Sequence, residues 1–483
     1  MIPLLTDDSL PLSRQIFTGL RNAIVNGTFR GGDRLPSTRL LAEQLSVSRT
    51  VVVIAYEQLL AEGYVHGRTG SGTFVSQHLA RPTTARVQAA ALELSRFGTA
   101  AVDANKRLPQ AAGSTSRPRY DFAYGRGNTD TFPFEAWSRV ALATLRKAPL
   151  SELDYGPSAG STSLREAIAD HLRRARGLAC AASQVIIVNG SQQALDITAR
   201  VLLDRGQRVV IENPQYQGTR DILKAAGAQL IPVPVDAQGL VTDALPRRAR
   251  LAVVTPSHQF PTGAVLPLSR RAALLEWARR ANAAIIEDDY DGEFRYDGQP
   301  VEPLQTLDTD GRVIYVGTFS RTVYPSLRIG YLVAPPSLVP SFVGAKWLCD
   351  RHTATLEQEI LADFIRSGAY ERHLRRARKA LAERKRELLT SIRLHLGDTV
   401  AISGESAGTH VVIWPRQRVV EQDVVAQAAS VGVGIYGISQ YFLERPPRAG
   451  FLLGYSRLIA RDIHDGIRRL RQIRCFNPRA GRA

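Results

Sequence analysis

From residue 184 onward, short apolar runs recur at regular intervals: QVIIVNG (184–190), RVVIE (208–212), RLAVVTP (250–256), AAIIEDD (283–289) and RVIYVGTFS (312–320). Stretches with helical spacing of apolar residues separate them, such as GSQQALDITARVLLD (190–204) and LSRRAALLEWARRAN (268–282). A strand that is apolar on both faces must be covered on both, and crossover helices do this in parallel sheets. The alternation therefore predicts an α/β layer on a mostly parallel sheet. Open sheets of this kind bind ligands at the carboxyl ends of their strands, so the residues that follow each run are the first candidates for a site. The chain shows no internal repeat.

The first 77 residues follow a different pattern. PLSRQIFTGLRNAIVNGTF (11–29) places Leu12, Ile16, Leu20 and Ile24 on one face of a helix that stops near Gly27. In RLPSTRLLAEQLSVSRTVVVIAYEQLLAEGY (34–64), Ser37 caps a short second helix with Leu40, Leu41 and Leu45 on its buried side. Ser48 caps a third helix reaching about Glu62, with Val52, Ala55, Tyr56 and Leu59 facing inward. GYVHGRTGSGTFVS (63–76) then reads as two strands around Gly70-Ser71-Gly72, a wing. A third helix of this kind fits the major groove of DNA, its first turn presenting Ser48, Arg49 and Thr50. Arg39 is placed to pair with a guanine or clamp a phosphate, and Arg68 and Thr73 of the wing to reach a minor groove or the backbone. Taken singly, Arg39 or Arg49 can equally be a surface cation.

Net charge is +17 and the pI about 10.2, which suits a polyanionic partner. The charge is not concentrated in residues 1–77, where seven Arg meet six acidic residues. Much of it lies in ERHLRRARKALAERKREL (371–388) and IRRLRQIR (467–474), which read as solvated helix faces. Residues 78–119, rich in Ala, Arg, Pro, Ser and Thr, read as a linker with a helical turn around 86–97. The expected division is 1–77 for the winged helix-turn-helix, 78–119 for the linker and 120–475 for the α/β domain. Cys180, Cys349 and Cys475 form neither a CxxC pair nor an even framework, and no apolar run is long enough to span a bilayer. With no secretory leader evident in the first residues, a cytoplasmic setting is expected, with no membrane partner and no metal site.

Several segments of the α/β domain carry candidate chemistry. Gly190-Ser191-Gln192 opens a helix after a strand, where unpaired amides and the helix dipole attract anions. IIEDDYDGEFRY (285–296) sets acids at a strand's carboxyl end; there a carboxylate can pair with a protonated ring nitrogen and Tyr290 can hydrogen-bond a ring hydroxyl. A solvated acidic loop accounts for Glu287, Asp289, Asp291 and Glu293. Tyr216 in ENPQYQG suits stacking on a flat ring, and TPSHQFPTG (255–263) offers His258 and Gln259 as polar candidates. GTFSRTVYPSLRIGYLV (317–333) supplies Thr318, Ser320 and Arg328 to an anion.

RLPSTRLLAEQLSVSR, AYEQLLAEGY and GSGTFV closely resemble the GntR-type winged helix-turn-helix; Val51, where a threonine often sits, departs from it. LDYGPSAGSTSLREAIADHLRRARGL, NGSQQAL, ENPQY, TPSHQFPTG, IIEDDYDGEF and GTFSRTVYPSLRIGYLV resemble the aminotransferase-type, fold type I pyridoxal phosphate (PLP) domain. Joined, the two resemble the MocR/GabR family of bacterial transcription regulators over nearly the whole chain. The resemblance implies that Asp288 holds the pyridinium nitrogen, Tyr290 the ring hydroxyl, and Tyr216 the ring face. It implies a phosphate cradle of Gly190, Ser191, Gln192, Thr318, Ser320 and Arg328. It also implies that Tyr155 reaches the phosphate of a neighbouring subunit, hence a homodimer.

The same resemblance puts the Schiff-base lysine at position 321, where this sequence has Arg321. A guanidinium keeps its proton and does not condense with an aldehyde. Without the lysine, the covalent link and the proton shuttle of transamination are both lost. Lys346 is the nearest lysine in sequence and matches no motif. A second departure is Leu452 in RAGFLLGYS, where proteins of this fold often carry an arginine for a substrate carboxylate; Arg448 and Arg457 are the alternatives nearby. Only six of the 62 basic residues are lysines, so drift toward Arg is a competing account of position 321. The leading expectation is a regulator of double-stranded DNA whose aminotransferase-like domain dimerises. It senses a PLP-related ligand, amine or amino acid, with PLP held non-covalently and no catalysis. The alternatives are an aminotransferase with a fused DNA-binding domain, and a ligand-blind dimeric repressor.

Overall fold

The computed structural model describes residues 10–77, 92–106, 118–125, 127, 129–149, 154–296, 301–444 and 446–477. Contacts divide the chain into two units, 1–93 and 94–483.

The first unit contains α1 (Leu12–Val25), α2 (Thr38–Leu45), α3 (Arg49–Ala61), β1 (Val65–Arg68) and β2 (Gly72–Val75). The two serine caps form as expected: Ser37 Oγ accepts from Leu40 N at 3.2 Å and Ser48 Oγ from Val51 N at 3.5 Å. Val52, Ala55, Tyr56 and Leu59 of α3 are buried against Ile16, Phe17, Leu20 and Ile24 of α1. Two expected core positions are corrected. Leu12 and Leu40 lie on the exposed side, at 49% and 47%, because the short helices start there and Phe17, Leu41 and Ala42 fill the interior instead. β1 and β2 pair antiparallel from Val65↔Val75 to Arg68↔Gly72, which makes the wing.

In the second unit, α4 (Arg96–Asn105) lies within the stretch read as linker, capped by Ser95 Oγ on Gly98 N at 3.0 Å, and packs against a helix of the α/β layer. Residues 86–91 of the helical turn expected at 86–97 lie outside the described residues. The strands that follow are β3 (Tyr120–Asp121), β4 (Val185–Val188), β5 (Arg208–Asn213), β6 (Gln229–Asp236), β7 (Gly239–Leu240), β8 (Leu251–Val254), β9 (Ala284–Asp289), β10 (Val313–Thr318) and β11 (Gly330–Val333). After them come β12 (Val400–Ser403), β13 (His410–Pro415), β14 (Val433–Gly434), β15 (Tyr436–Gly437) and β16 (Phe451–Gly454). The helices that bear on the site are α5 (Phe134–Lys147), α6 (Thr162–Arg176), α7 (Ser191–Leu202), α8 (Gln217–Ala225), α9 (Leu268–Ala281) and α10 (Val339–Asp350).

The main sheet has the order β4-β11-β10-β9-β8-β5-β6-β7. The five apolar runs of the sequence are β4, β5, β8, β9 and β10. β10–β9, β9–β8, β8–β5 and β5–β6 pair parallel, and β11 runs against both neighbours. All residues of β4 and β8 are fully buried, and each large aliphatic side chain buried in this way contributes roughly 1.5–3 kcal/mol. A second, antiparallel sheet, β12-β13-β16-β15, packs its residues with Tyr120 and Phe122 in a separate core.

Candidate ligand site and DNA-reading surface

In the winged unit, Ser48, Arg49 and Thr50 form the start of α3, and all three are exposed, as are Arg39 and Arg68. Arg49 Nε approaches Thr38 Oγ1 at 3.5 Å, so the starts of α2 and α3 lie side by side. The Arg68 guanidinium lies 5.2 Å from the Phe74 ring, and Thr73 is half-buried, its carbonyl accepting from Leu35 N. The six candidates thus fall on the start of α2, the start of α3 and the wing.

The second unit gathers its candidates at the carboxyl ends of β4, β5, β8, β9 and β10. One end is built from local backbone. Gly190 (φ +82°) precedes α7, and a Cβ there would stand 2.9 Å from Arg328 Nη2. Arg328 itself has φ +54°, and its Nη2 donates to Asn189 O at 2.8 Å. This clamps the guanidinium against the α7 N-terminus, where it adds full charge to the helix's own donors. Thr318 Oγ1 accepts from Ser320 N at 3.1 Å. A Cβ on Gly218 would touch Tyr216 and Gln192 Oε1, so those two side chains are neighbours. Tyr216, at the start of α8, is 43% exposed.

The other end is buried. Asp288 sits in β9, paired with Val316 of β10. Its Oδ1 has no hydrogen-bond partner among the described residues. Burial, then the carboxylates of Asp289, Asp291 and Glu212, push its pKa up to about 7, while Arg321 works in the opposite direction. A buried carboxyl group one hydrogen bond short fits an N–H donor on a ligand. Tyr290 Oη donates to His258 O at 2.9 Å, and His258 Nδ1 is 2.9 Å from Asp291 Oδ2. Gln259 acts as a brace between loops, its Nε2 donating to Pro214 O (2.9 Å) and Phe260 O (2.6 Å).

Arg321 follows β10 and stacks its guanidinium 4.5 Å from the Tyr124 ring centre. Its charge acts on Asp288, Tyr216, Tyr290, Tyr441 and His410, which places it in their midst. Phe260 is the hub of the same cluster, 5.0 Å from Tyr124, 6.0 Å from Tyr290, 6.1 Å from Tyr216 and 4.9 Å from Tyr441. The sequence reading missed Tyr124, Phe260, His410 and Tyr441. Phe260 lies inside the TPSHQFPTG loop and could have been found there; the other three come from remote segments with no motif.

The solvated-loop account of the acids is wrong. Asp289 forms a buried ion pair with Arg176 and accepts from Tyr315 Oη at 2.7 Å. Asp291 holds His258; Glu287 accepts from Leu304 N and Gln305 N at 2.7 and 2.9 Å. Glu293 meets His171 at 3.2 Å, whose other nitrogen meets Glu371 at 2.8 Å. Glu287, Asp289 and Asp291 are buried and Glu293 half-buried because the chain folds back over them, and each has its own partner.

Lys346 is fully buried and bound to Asp350, which also accepts from Asn189 Nδ2 and Gln193 Nε2, both at 2.7 Å. Leu452 is fully buried in an apolar cluster that includes Tyr124 and Tyr441. Of its alternatives, Arg448 lies over the Trp414 ring at 4.4 Å and Arg457 is exposed. Tyr155 is 72% exposed, with the Arg351 guanidinium 4.2 Å from its ring centre.

A winged helix-turn-helix and a domain of the aminotransferase fold thus share one chain. The family models agree: Bacterial regulatory proteins, gntR family, matches residues 12–75, and Aminotransferase class I and II matches residues 124–431. The probable rhizopine catabolism regulatory protein MocR of Rhizobium meliloti is 39% identical over 98% of this chain and 95% of its own. The pyridoxine biosynthesis transcriptional regulator PdxR of Corynebacterium glutamicum is 33% identical over 94% and 95%. Among solved structures, the α-aminoadipate aminotransferase LysN of Thermus thermophilus, complexed with N-(5'-phosphopyridoxyl)-L-leucine, superposes with a TM-score of 0.68. It is 28% identical and covers 73% of this chain and 91% of its own. The chain belongs to the MocR-type, GntR-family transcription regulators that carry an aminotransferase-like domain. Among the described residues no helix is long and apolar enough to cross a membrane.

Proposed function

We propose that this protein is a homodimeric, DNA-binding regulator whose aminotransferase-like domain holds PLP or a close relative without a covalent bond and does not turn it over. The observation that carries this reading is the pairing of Asp288, buried with a free acceptor, with Arg321, which cannot condense with an aldehyde. When bound, PLP supplies an electron-poor ring and a reactive aldehyde. Asp288 would hold its ring nitrogen, Tyr290 its hydroxyl and Tyr216 its face. Gly190, Ser191, Gln192, Thr318, Ser320 and Arg328 would hold its phosphate. The exposed Tyr155, together with Trp347 and Leu348 of α10 (54% and 78% exposed), supports a partner subunit on this side. Arg39, Ser48, Arg49, Thr50, Arg68 and Thr73 would read the operator, and the effector acts by binding two states of the dimer unequally.

Two measurements test this. Binding to DNA upstream of the protein's own gene should be sequence-selective and weaken steeply with salt; equal affinity for unrelated DNA would end the regulator reading. PLP should raise the melting temperature, yet borohydride reduction and mass spectrometry should leave the native chain unmodified while tagging Arg321→Lys. Coenzyme fixed to the native chain, or amino-acid-dependent turnover by it, would restore the enzyme reading.

A further inference from the structure

The pocket contains a guanidinium that its own carboxylates do not satisfy. Arg321 Nη1 is buried and has no hydrogen-bond partner among the described residues. The acids around it are otherwise engaged: Asp289 with Arg176, Asp291 with His258, and Glu212 with Thr255 Oγ1 at 2.6 Å. Asp288 acts on Arg321 only at longer range and is the group kept for a ring nitrogen. Tyr124 fixes the guanidinium by stacking but, being a π face, offers no acceptor in its plane. Arg321 as a whole is half-buried, but a buried guanidinium nitrogen with no acceptor is costly unless an anion completes it. The wall where an arginine for a ligand carboxylate would sit is apolar at Leu452, Arg448 lies over Trp414 and Arg457 is exposed.

We infer that Arg321 is a carboxylate-binding residue: the ligand this pocket selects bears a carboxylate beside residue 321. Resting on the PLP reading above, this means a pyridine phosphate whose aldehyde carbon is a carboxylate, or PLP accompanied by a separate carboxylate. The planar fork of Arg matches either bidentately, which a lysine cannot do. One substitution thereby removes condensation with an aldehyde and creates recognition of an acid.

The test uses the full-length protein and isothermal titration, with melting temperature as a second readout. Four probes are compared: PLP, pyridoxamine phosphate (cationic at that carbon), pyridoxic acid phosphate (anionic there), and PLP with propionate. In the wild type, pyridoxic acid phosphate should bind about tenfold to hundredfold more tightly than pyridoxamine phosphate, the span of one charge-assisted pair. If the carboxylate is separate, propionate should instead tighten PLP by a similar factor. Arg321→Met should abolish either preference while still binding PLP through Asp288, and Arg321→Lys should shift the preference toward PLP. The inference falls if the wild type binds pyridoxamine phosphate or PLP alone as tightly as both carboxylate arms, or if Arg321→Met keeps the preference. If none of the four probes binds the wild type, the PLP reading itself has failed.

Discussion

The two ends of the pocket are built by different means. The proposed phosphate end comes from two short stretches: Gly190 at the mouth of α7, and residues 318–328 with Thr318 ending β10, Ser320 just after it and the exposed Arg328 in a left-handed turn. The proposed ring end has a buried floor of Phe260, Asp288 and His410 and is assembled from six distant segments, which bring these together with Tyr124 and Arg321, both half-buried, and the more exposed Tyr216. An anion site of this kind works through backbone donors and one exposed charge, so single changes weaken it by modest factors. A buried site works through desolvated charges, so the loss of one leaves its partner without compensation.

If this contrast holds, Asp288→Ala should have the largest effect. Stranding a buried ring cation costs on the order of 3–5 kcal/mol, so PLP affinity should fall by about two to three orders of magnitude by calorimetry. A loss under about tenfold would show that the ring end is not the dominant contact.

The polar cluster of His171, Glu293 and Glu371 should show itself in pH dependence. Burial opposes the charge on His171, but hydrogen bonds to Glu293 and Glu371 outweigh it and raise its pKa to about 9. The folded value lies above the unfolded 6.5, so this stabilisation is complete below pH 6.5 and is lost as pH rises through 9. Its size is about 3 kcal/mol, at about 1.4 kcal/mol for each pH unit between the two values. The melting temperature should decline across that window in wild type and far less in His171→Gln. At the opposite extreme, burial disfavours the charge on Glu293, but His171, Arg176 and Arg378 outweigh it and hold its pKa down to about 2. Its contribution is present above pH 4.5 and is lost as pH falls through about 2.

Gly190→Ala should act on the phosphate end alone. The positive φ and the 2.9 Å approach to Arg328 predict a loss of about 1–2 kcal/mol, seen as roughly tenfold weaker PLP binding. Unphosphorylated pyridoxal should lose much less. The smallest effect should come from salt: screening of the exposed Arg328 should weaken PLP by only a few-fold between about 0.1 M and 1 M, with the Asp288-dependent part unchanged. A steep salt response would blur the distinction between the two ends.

The proposed phosphate end could be named from sequence because its residues form local motifs. Gly190-Ser191-Gln192 and GTFSRTVYPSLR carry their own geometry: a strand, a turn, a helix start and an arginine. The same locality exposed the caps Ser37 and Ser48 and five strands of the main sheet, β4, β5, β8, β9 and β10. The ring end was read only in part. Asp288 and Arg321 follow from motif position, whereas Tyr124, Tyr441 and His410 have no signal in their own neighbourhoods. β6 was hidden by Pro232 and Pro234 in an edge-near strand. The acids around Asp288 looked solvent-exposed because charge on a loop usually is. Their partners Arg176, His171 and His258 come from α6 and from the loop after β8, and no local pattern announces such pairs.

The order of apolar runs, the helix caps and the arginine at position 321 are covalent facts. They fix the layer type, the DNA-reading module and a guanidinium at position 321, because periodicity, capping and side-chain identity are properties of the sequence itself. Folding alone decided that Arg321 lies against Tyr124 and that, among the described residues, its Nη1 and the Asp288 Oδ1 have no hydrogen-bond partner, and that Lys346 is paired with Asp350. Desolvation and pairing depend on what segments far apart in the chain bring within a few ångströms, and that is where the ligand preference of this pocket is set.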